Sequence, residues 1–117
     1  MSGSLHRELA GGRWWTLSIF EQMGNIGSEV SRALNWRGRN EALSENALAR
    51  GLELFDLTLS DPRWRPSVCR LREIARAREV TVDFIVGDNV YGSTEESLRR
   101  YFDHYAIVAR NRAVPKP

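Results

Sequence analysis

The sequence has few cysteines and histidines and no long apolar run, and each shortage excludes a class of protein. Cys69 is the one cysteine among 117 residues, so no disulfide forms within the chain. This usage suits a reducing, cytoplasmic protein. The two histidines, His6 and His104, are too few for most nucleophile–histidine or metal sites. Because no apolar run is long enough for a membrane helix and no catalytic motif occurs, we expect no membrane association, metal, cofactor or catalytic residue.

The charged residues are unusual in kind, although the net charge is only +2. Every basic side chain apart from Lys116 and the histidines is an arginine. The planar guanidinium group of arginine suits the recognition of phosphate and carboxylate groups. A genome rich in G and C would produce the same bias, so composition leaves both explanations open. The proportions of 42% hydrophobic and 27% charged residues are those of a single globular domain.

Apolar residues recur every three or four positions, which predicts an all-α protein. We expect a flexible tail at 1–12, an antiparallel up-down-up-down four-helix bundle at 13–112, and a frayed tail at 113–117. The first helix should cover about 15–35, with Gly24 and Gly27 permitting a close approach of another backbone. Its apolar stripe consists of Ile19, Met23, Ile26, Val30 and Ala33.

The other three helices follow from similar patterns and from their capping residues. The second should cover about 41–59, and the third should follow an N-cap at Ser67 and end near Val86. Ser93 and Glu96 form a possible capping box for the fourth helix, which ends near residue 112. The expected stripes are Leu48, Leu52, Phe55 and Leu59, then Val68, Leu71, Ala75, Val82 and Ile85, then Leu98, Phe102, Tyr105 and Ala109. Cys69 should be a small buried residue.

Two helices carry a second apolar face, which predicts a homo-oligomer. The residues concerned are Leu43, Leu54 and Leu57 on the second helix and Ala77, Val80 and Phe84 on the third. A broad core within one chain is the alternative. Arg78 interrupts the third stripe and needs a carboxylate partner, for which Glu29 is one candidate, in the core or at an interface.

Arginine and tryptophan should gather at one end of such a bundle, where the chain termini meet the connection between the second and third helices. The residues are Arg63, Trp64, Arg65, Arg70 and Arg72, together with Arg13, Arg110 and Arg112. Cations at the start of a helix oppose its dipole, so these arginines favour an external anion such as phosphate. Interleaved tryptophan is typical of single-stranded nucleic-acid binding. An acidic protein partner, or no anion at all, remains an alternative.

One spacing offers an enzymatic alternative. Arg99 and His104 have four residues between them, which resembles the motif of HEPN-domain ribonucleases, themselves helical bundles. That family usually has Asn or Asp after the arginine, whereas this chain has Arg100. The two side chains would lie about 140° apart around a helix. Ion pairs of Arg99 with Glu95 or Asp103, and of Arg100 with Glu96, are a simpler expectation.

The predicted architecture from Trp15 to Arg112 resembles small four-helix-bundle accessory proteins. These include the accessory variability protein of diversity-generating retroelements and the 23S rRNA intervening-sequence proteins. The former family is oligomeric and basic and associates with reverse transcriptase and RNA. The resemblance implies a non-enzymatic, oligomeric accessory protein that binds nucleic acid, RNA rather than DNA, or a nucleoprotein. A protein-interaction scaffold without nucleic acid and a HEPN-like ribonuclease remain the alternatives.

Overall fold

The computed structural model describes residues 12–113, and this part of the chain is all-helical, as predicted. The predicted tails lie outside the described residues, apart from Gly12 and Ala113. The helices are α1 (Ile19–Trp36), α2 (Glu41–Leu59), α3 (Val68–Ile85) and α4 (Glu95–Ala113), with a 3-10 turn at Pro62–Trp64 between α2 and α3. Among these helices, none combines the length and the hydrophobicity needed to cross a membrane.

Helix α1 begins at a capping box and contributes the centre of the core. The Ser18 hydroxyl accepts from the Glu21 backbone N–H, and the Glu21 carboxylate accepts from the Ser18 N–H. This cap places the helix start at Ile19, later than the expected start near Trp15. The predicted stripe is confirmed, since all five of its residues are at most 8% exposed. The helix makes its most extensive contacts with α2 and α4.

The glycines of α1 permit the close approach that the sequence predicts. A Cβ atom added at Gly27 would lie 2.5 Å from the Phe102 Cβ, and one added at Gly24 would lie 3.3 Å from the Ala106 Cα. Real Cβ atoms essentially never approach as closely as the first of these distances. Helix α4 therefore packs against the glycine positions of α1, and Phe102 fills the space that a side chain at position 27 would need.

Helix α2 is joined to α1 at several levels. Its Asn40 N-cap accepts from the Leu43 N–H, and the Ser44 hydroxyl donates to the Ala33 carbonyl near the end of α1. Leu48 and Phe55 are buried as predicted, and Leu52 and Leu59 are partly buried. The buried Glu29 carboxylate of α1 accepts hydrogen bonds from Arg32 and from Arg50 of α2.

The predicted core stripe of α3 is only partly confirmed, since Ile85 is buried and Leu71 and Val82 are partly buried, whereas Val68 and Ala75 are not. Val68 is 57% exposed and Ala75 is exposed, and the buried positions are Ile74, Ala77, Thr81 and Ile85. Both sets recur at helical spacing, so periodicity alone does not choose between them. Ser67 is the N-cap, as predicted. Cys69 is exposed, contrary to expectation.

Two other local predictions need correction. Helix α4 is capped by Thr94 and Ser97 rather than Ser93 and Glu96, because each of the first two side chains accepts from the backbone N–H of the other. Arg78 is partnered by Asp56, at 3.0 Å, and not by Glu29. The expected pairs Arg99–Glu95 and Arg100–Glu96 are present.

Candidate functional site

A buried polar cluster joins the start of α1 to the connection between α2 and α3. Asp61 and Gln22 are both fully buried. The Gln22 Nε2 donates to Asp61 Oδ2 (2.9 Å) and to the Trp14 carbonyl (3.0 Å), and its Oε1 accepts from Trp64 Nε1 (2.9 Å). Arg63 Nη2 donates to Asp61 Oδ2 (2.7 Å). The cluster satisfies every polar atom named here, so burial carries no unpaired group.

Asp61 is positioned in this cluster because its side chain caps the 3-10 turn at Pro62–Trp64. Pro62 begins the turn, and Asp61 Oδ1 accepts from the Arg63 backbone N–H at 3.0 Å. Burial alone raises the pKa of an aspartate, but hydrogen bonds from Arg63 and Gln22 outweigh it, and the pKa of Asp61 lies below its ordinary value. Asp61 is therefore a carboxylate, and Arg63 is its counter-ion.

Arg63 is consequently not a free cation, so the structure does not support its predicted role in binding an external anion. Its Nη2 also donates to the Leu17 carbonyl at 2.5 Å. These contacts tie the 3-10 turn to the segment before α1. Arg63 therefore has a structural role that the sequence interpretation missed, although the Asp61-Pro62-Arg63 order, with an aspartate before proline, was a signal for it.

The three tryptophans at this end are engaged by the fold. Trp14 is buried and its Nε1 donates to the Thr58 hydroxyl (2.8 Å), and the Trp15 Nε1 donates to the Leu57 carbonyl (2.7 Å). Trp64 is partly buried and packs against the core. These three indoles therefore cover one end of the core.

Four of the predicted residues, Arg63, Trp64, Arg70 and Arg112, take part in cation–π contacts. The Arg63 and Arg70 guanidinium carbons lie 4.5 and 4.9 Å from the Trp64 ring centroid. The Arg112 guanidinium carbon lies 5.2 Å from the ring centroid of Phe20, near the start of α1. Such cation–π contacts orient a guanidinium group while leaving its N–H donors available.

The remaining predicted residues are exposed but are not drawn into this contact group. Arg13, Arg65, Arg72 and Arg110 are exposed. Arg70 and Arg72 are two positions apart on α3, so their side chains leave the helix about 160° apart. The basic residues therefore surround the end of the molecule and do not form a single patch.

Most of these arginines keep their charge unneutralised. Within residues 12–113, no carboxylate lies at ion-pair distance from any of Arg13, Arg65, Arg70, Arg72, Arg110 and Arg112. The first turn of α3 also contains no acidic residue. A helix start that has cations in place of the usual carboxylates attracts anions from outside.

A narrow cleft of about 210 Å³ opens at this end between α1, α3 and α4. Its lining consists of Ile19, Phe20, Met23, Arg70, Glu73, Ile74, His104 and Tyr105. The Tyr105 hydroxyl donates to Glu73 Oε1 at 2.5 Å. Burial, followed by this bond to a carboxylate, raises the pKa of Tyr105, so the hydroxyl keeps its proton. The sequence predicts Tyr105 as a core residue and predicts no role for Glu73. Their hydrogen bond depends on how α3 lies against α4, which the sequence pattern does not show.

Of the six residues proposed for self-association, one is exposed, three are partly buried and two are buried. Leu57 and Ala77 are buried within the chain, so the expected second face does not include them. Leu54, Val80 and Phe84 are partly buried, and Leu43 is 40% exposed. A largely apolar groove of about 290 Å³ does open between α3 and α4. Its apolar lining consists of Ala77, Val80, Leu98, Tyr101 and Phe102.

The two residues of the ribonuclease alternative, Arg99 and His104, line the same open pocket of about 670 Å³ on the surface of α4, but Arg99 is already held by other side chains. Arg99 is held by Glu95 (3.2 Å) and by the Asn35 side chain (2.9 Å). His104 is exposed and lies beside the Tyr105 ring at the cleft. No group of three or more potential metal ligands occurs in the part of the chain from 12 to 113.

In comparisons with known proteins, no family model, curated protein or solved structure matches this chain.

Proposed function

We propose that this chain is a non-enzymatic accessory protein that binds the phosphate groups of nucleic acid at its basic end. The supporting observation is that Arg65, Arg70, Arg72, Arg110 and Arg112 have no carboxylate at ion-pair distance within residues 12–113. When such cations bind a polyanion, they displace the counter-ions condensed on its phosphates, and this release drives sequence-independent affinity.

The mode of binding that these contacts favour is phosphate contact rather than base stacking. Trp14 and Trp15 use their N–H groups within the fold, and Trp64 already lies against Arg63 and Arg70. Binding should therefore show little sequence preference, because phosphates carry no base identity. The resemblance to retroelement accessory proteins favours RNA over DNA and a nucleoprotein setting that includes a reverse transcriptase.

The experiment is fluorescence anisotropy of a labelled single-stranded RNA over a range of salt concentrations. For single strands, the slope of log Kobs against log salt is about −0.7 per phosphate neutralised. Replacing Arg70 and Arg72 together with alanine should reduce the magnitude of the slope by about 1 to 1.5. Arg39→Ala is the matched control, since Arg39 is an exposed arginine in the connection between α1 and α2. Equal slopes in all three proteins would contradict the proposal.

We further propose that the helices form an antiparallel up-down-up-down bundle. Three contacts support this arrangement. Ser44 near the start of α2 bonds to Ala33 near the end of α1, and Gly24 and Gly27 of α1 face Ala106 and Phe102, in reversed order, on α4. Helix α3 completes the set through Arg78 and Asp56, although its contacts are less extensive.

A second candidate function is self-association as a scaffold, which the α3–α4 groove favours. In this proposal the occupant is a second copy of the chain, because Val80, one of the predicted interface residues, lines the groove, and Phe84, another, follows it by one turn of α3. Val80→Asp should then reduce the molar mass measured by light scattering after gel filtration. Ala75→Asp, at an exposed position on the same helix, is the control. A wild-type mass equal to one chain would contradict self-association.

A further inference from the structure

The cleft between α1, α3 and α4 combines a cation, Arg70, that has no ion-pair partner among residues 12–113, a hydrogen-bonded carboxylate, Glu73, and a buried apolar floor. We propose that it binds a phosphate monoester, as found at the end of a nucleic-acid strand. This inference rests on the proposed function and adds a site for a strand end to the general attraction for phosphate.

Arg70 would be the principal donor in this site. It lines the cleft, and the Trp64 ring holds its guanidinium carbon at 4.9 Å. No carboxylate within the described residues competes for it at ion-pair distance. A guanidinium group held in this way loses less freedom on binding, and its N–H donors match two phosphate oxygens at once.

Glu73 would distinguish a terminal phosphate from one within the strand. Its Oε1 accepts the Tyr105 hydroxyl at 2.5 Å, and both residues line the cleft. A phosphate monoester has a second ionisation near pKa 6, so the dianion that predominates at pH 7 can take up one proton and then presents a hydroxyl that donates to the carboxylate. A diester has no such hydroxyl and meets Glu73 only with negatively charged oxygens, which is unfavourable.

The shape of the cleft also favours a chain end. Ile19, Met23 and Ile74 are at most 8% exposed and close its floor. The volume of about 210 Å³ is below the ~300–1,000 Å³ typical of sites for whole small molecules. A phosphate with part of its sugar is therefore a better fit than a strand passing through. His104 lines the cleft, and Arg112 lies over Phe20, so both can add donors at its edge.

The test compares two single-stranded RNAs of one sequence, one with a 5′-phosphate and one with a 5′-hydroxyl. The full-length protein should bind the phosphorylated strand about tenfold more tightly, as expected for charge-assisted hydrogen bonds. Arg70→Gln should abolish this preference. Arg72→Gln is the matched control, because it removes an equal charge on another side of the same helix. This variant should bind both RNAs more weakly and keep the preference for the 5′-phosphorylated strand. Circular dichroism would verify that both variants fold.

The outcomes separate this inference from the proposed function. Equal affinity for the two strands, or a preference that persists in Arg70→Gln, overturns the terminal-phosphate site and leaves general binding intact. If neither strand binds, the proposed function fails, and a titration with inorganic phosphate then decides the cleft. A shift of the Arg70 Nε–H resonance on addition of phosphate, with the resonance assigned by its absence in Arg70→Gln, would support a site for free phosphate, and no shift would overturn it.

Discussion

Removing the Arg63 side chain should destabilise the fold, although Arg63 is in the middle of the basic segment. Asp61 is fully buried and loses its counter-ion in Arg63→Ala. Removing one partner of a buried ion pair costs about 3–5 kcal/mol. The Arg63 side chain is 38% exposed, and Asp61 would keep its bonds from Gln22 and from the backbone N–H of residue 63. We therefore discount the cost to about 2–3 kcal/mol.

The pH dependence of this loss identifies its cause. Because Arg63 holds the pKa of Asp61 below its ordinary value, the pair stabilises the fold above pH ~3.9, and this contribution is lost as the pH falls through the lowered pKa. In Arg63→Ala, Asp61 loses the hydrogen bonds from the Arg63 side chain that lower its pKa, while burial still raises it. Asp61 should therefore protonate at a higher pH in the variant than in the wild type. The difference between wild type and variant should thus be large at pH 7 and smaller at pH 3.

The assay is urea unfolding followed by circular dichroism at both pH values, with Arg72→Ala as the control. Arg72 is exposed and should change the free energy of unfolding by no more than about 0.5 kcal/mol. A loss of less than about 0.5 kcal/mol for Arg63→Ala at pH 7, or a loss that does not depend on pH, would refute the role assigned to the Asp61–Arg63 pair.

Two further predictions concern the helix contacts and the enzymatic alternative. Gly27→Ala should destabilise by about 1–2 kcal/mol in urea unfolding, because overpacking against Phe102 exceeds the gain in helix propensity. Gly51→Ala should stabilise by up to ~1 kcal/mol, because its new Cβ would meet the nearest atom at an ordinary 3.5 Å; equal signs for the two would contradict the close-packing argument. RNA incubated with wild type and with His104→Ala should remain intact in both, and cleavage lost only in the variant would restore the ribonuclease interpretation.

The contrast between α1 and α3 explains how much of the fold was readable from the sequence. In α1 a single apolar stripe lies beside glycines and polar residues, so periodicity alone identified the buried face. In α3 apolar residues occur on several sides, and the buried face includes Thr81, whose hydroxyl is satisfied by the Ala77 carbonyl. The choice between faces depends on contacts with α2, which spacing within one helix does not encode.

Prediction of the candidate site failed and succeeded for related reasons. The concentration of arginine around α3 was visible because it violates the usual preference for carboxylates at a helix start. The Asp61-Pro62-Arg63 order was a signal for a capped turn, but the sequence does not show that Asp61 is buried beside Gln22 and Trp64 and therefore needs Arg63 as its counter-ion. The cleft could not be predicted at all, because its lining residues come from three helices whose relative placement is not encoded in the spacing within any one helix.

The arginines of the basic end differ in whether their charge is neutralised by the protein itself. Arg63 forms an ion pair with the buried Asp61 carboxylate, so its charge stabilises the fold. Arg70 has the same tryptophan as a neighbour but no carboxylate within the described residues, so its charge is available to a ligand. Two arginines on one aromatic ring thus differ in role because only one of them faces a buried anion. This difference makes Arg70, and not Arg63, the residue at which binding and stability are separable.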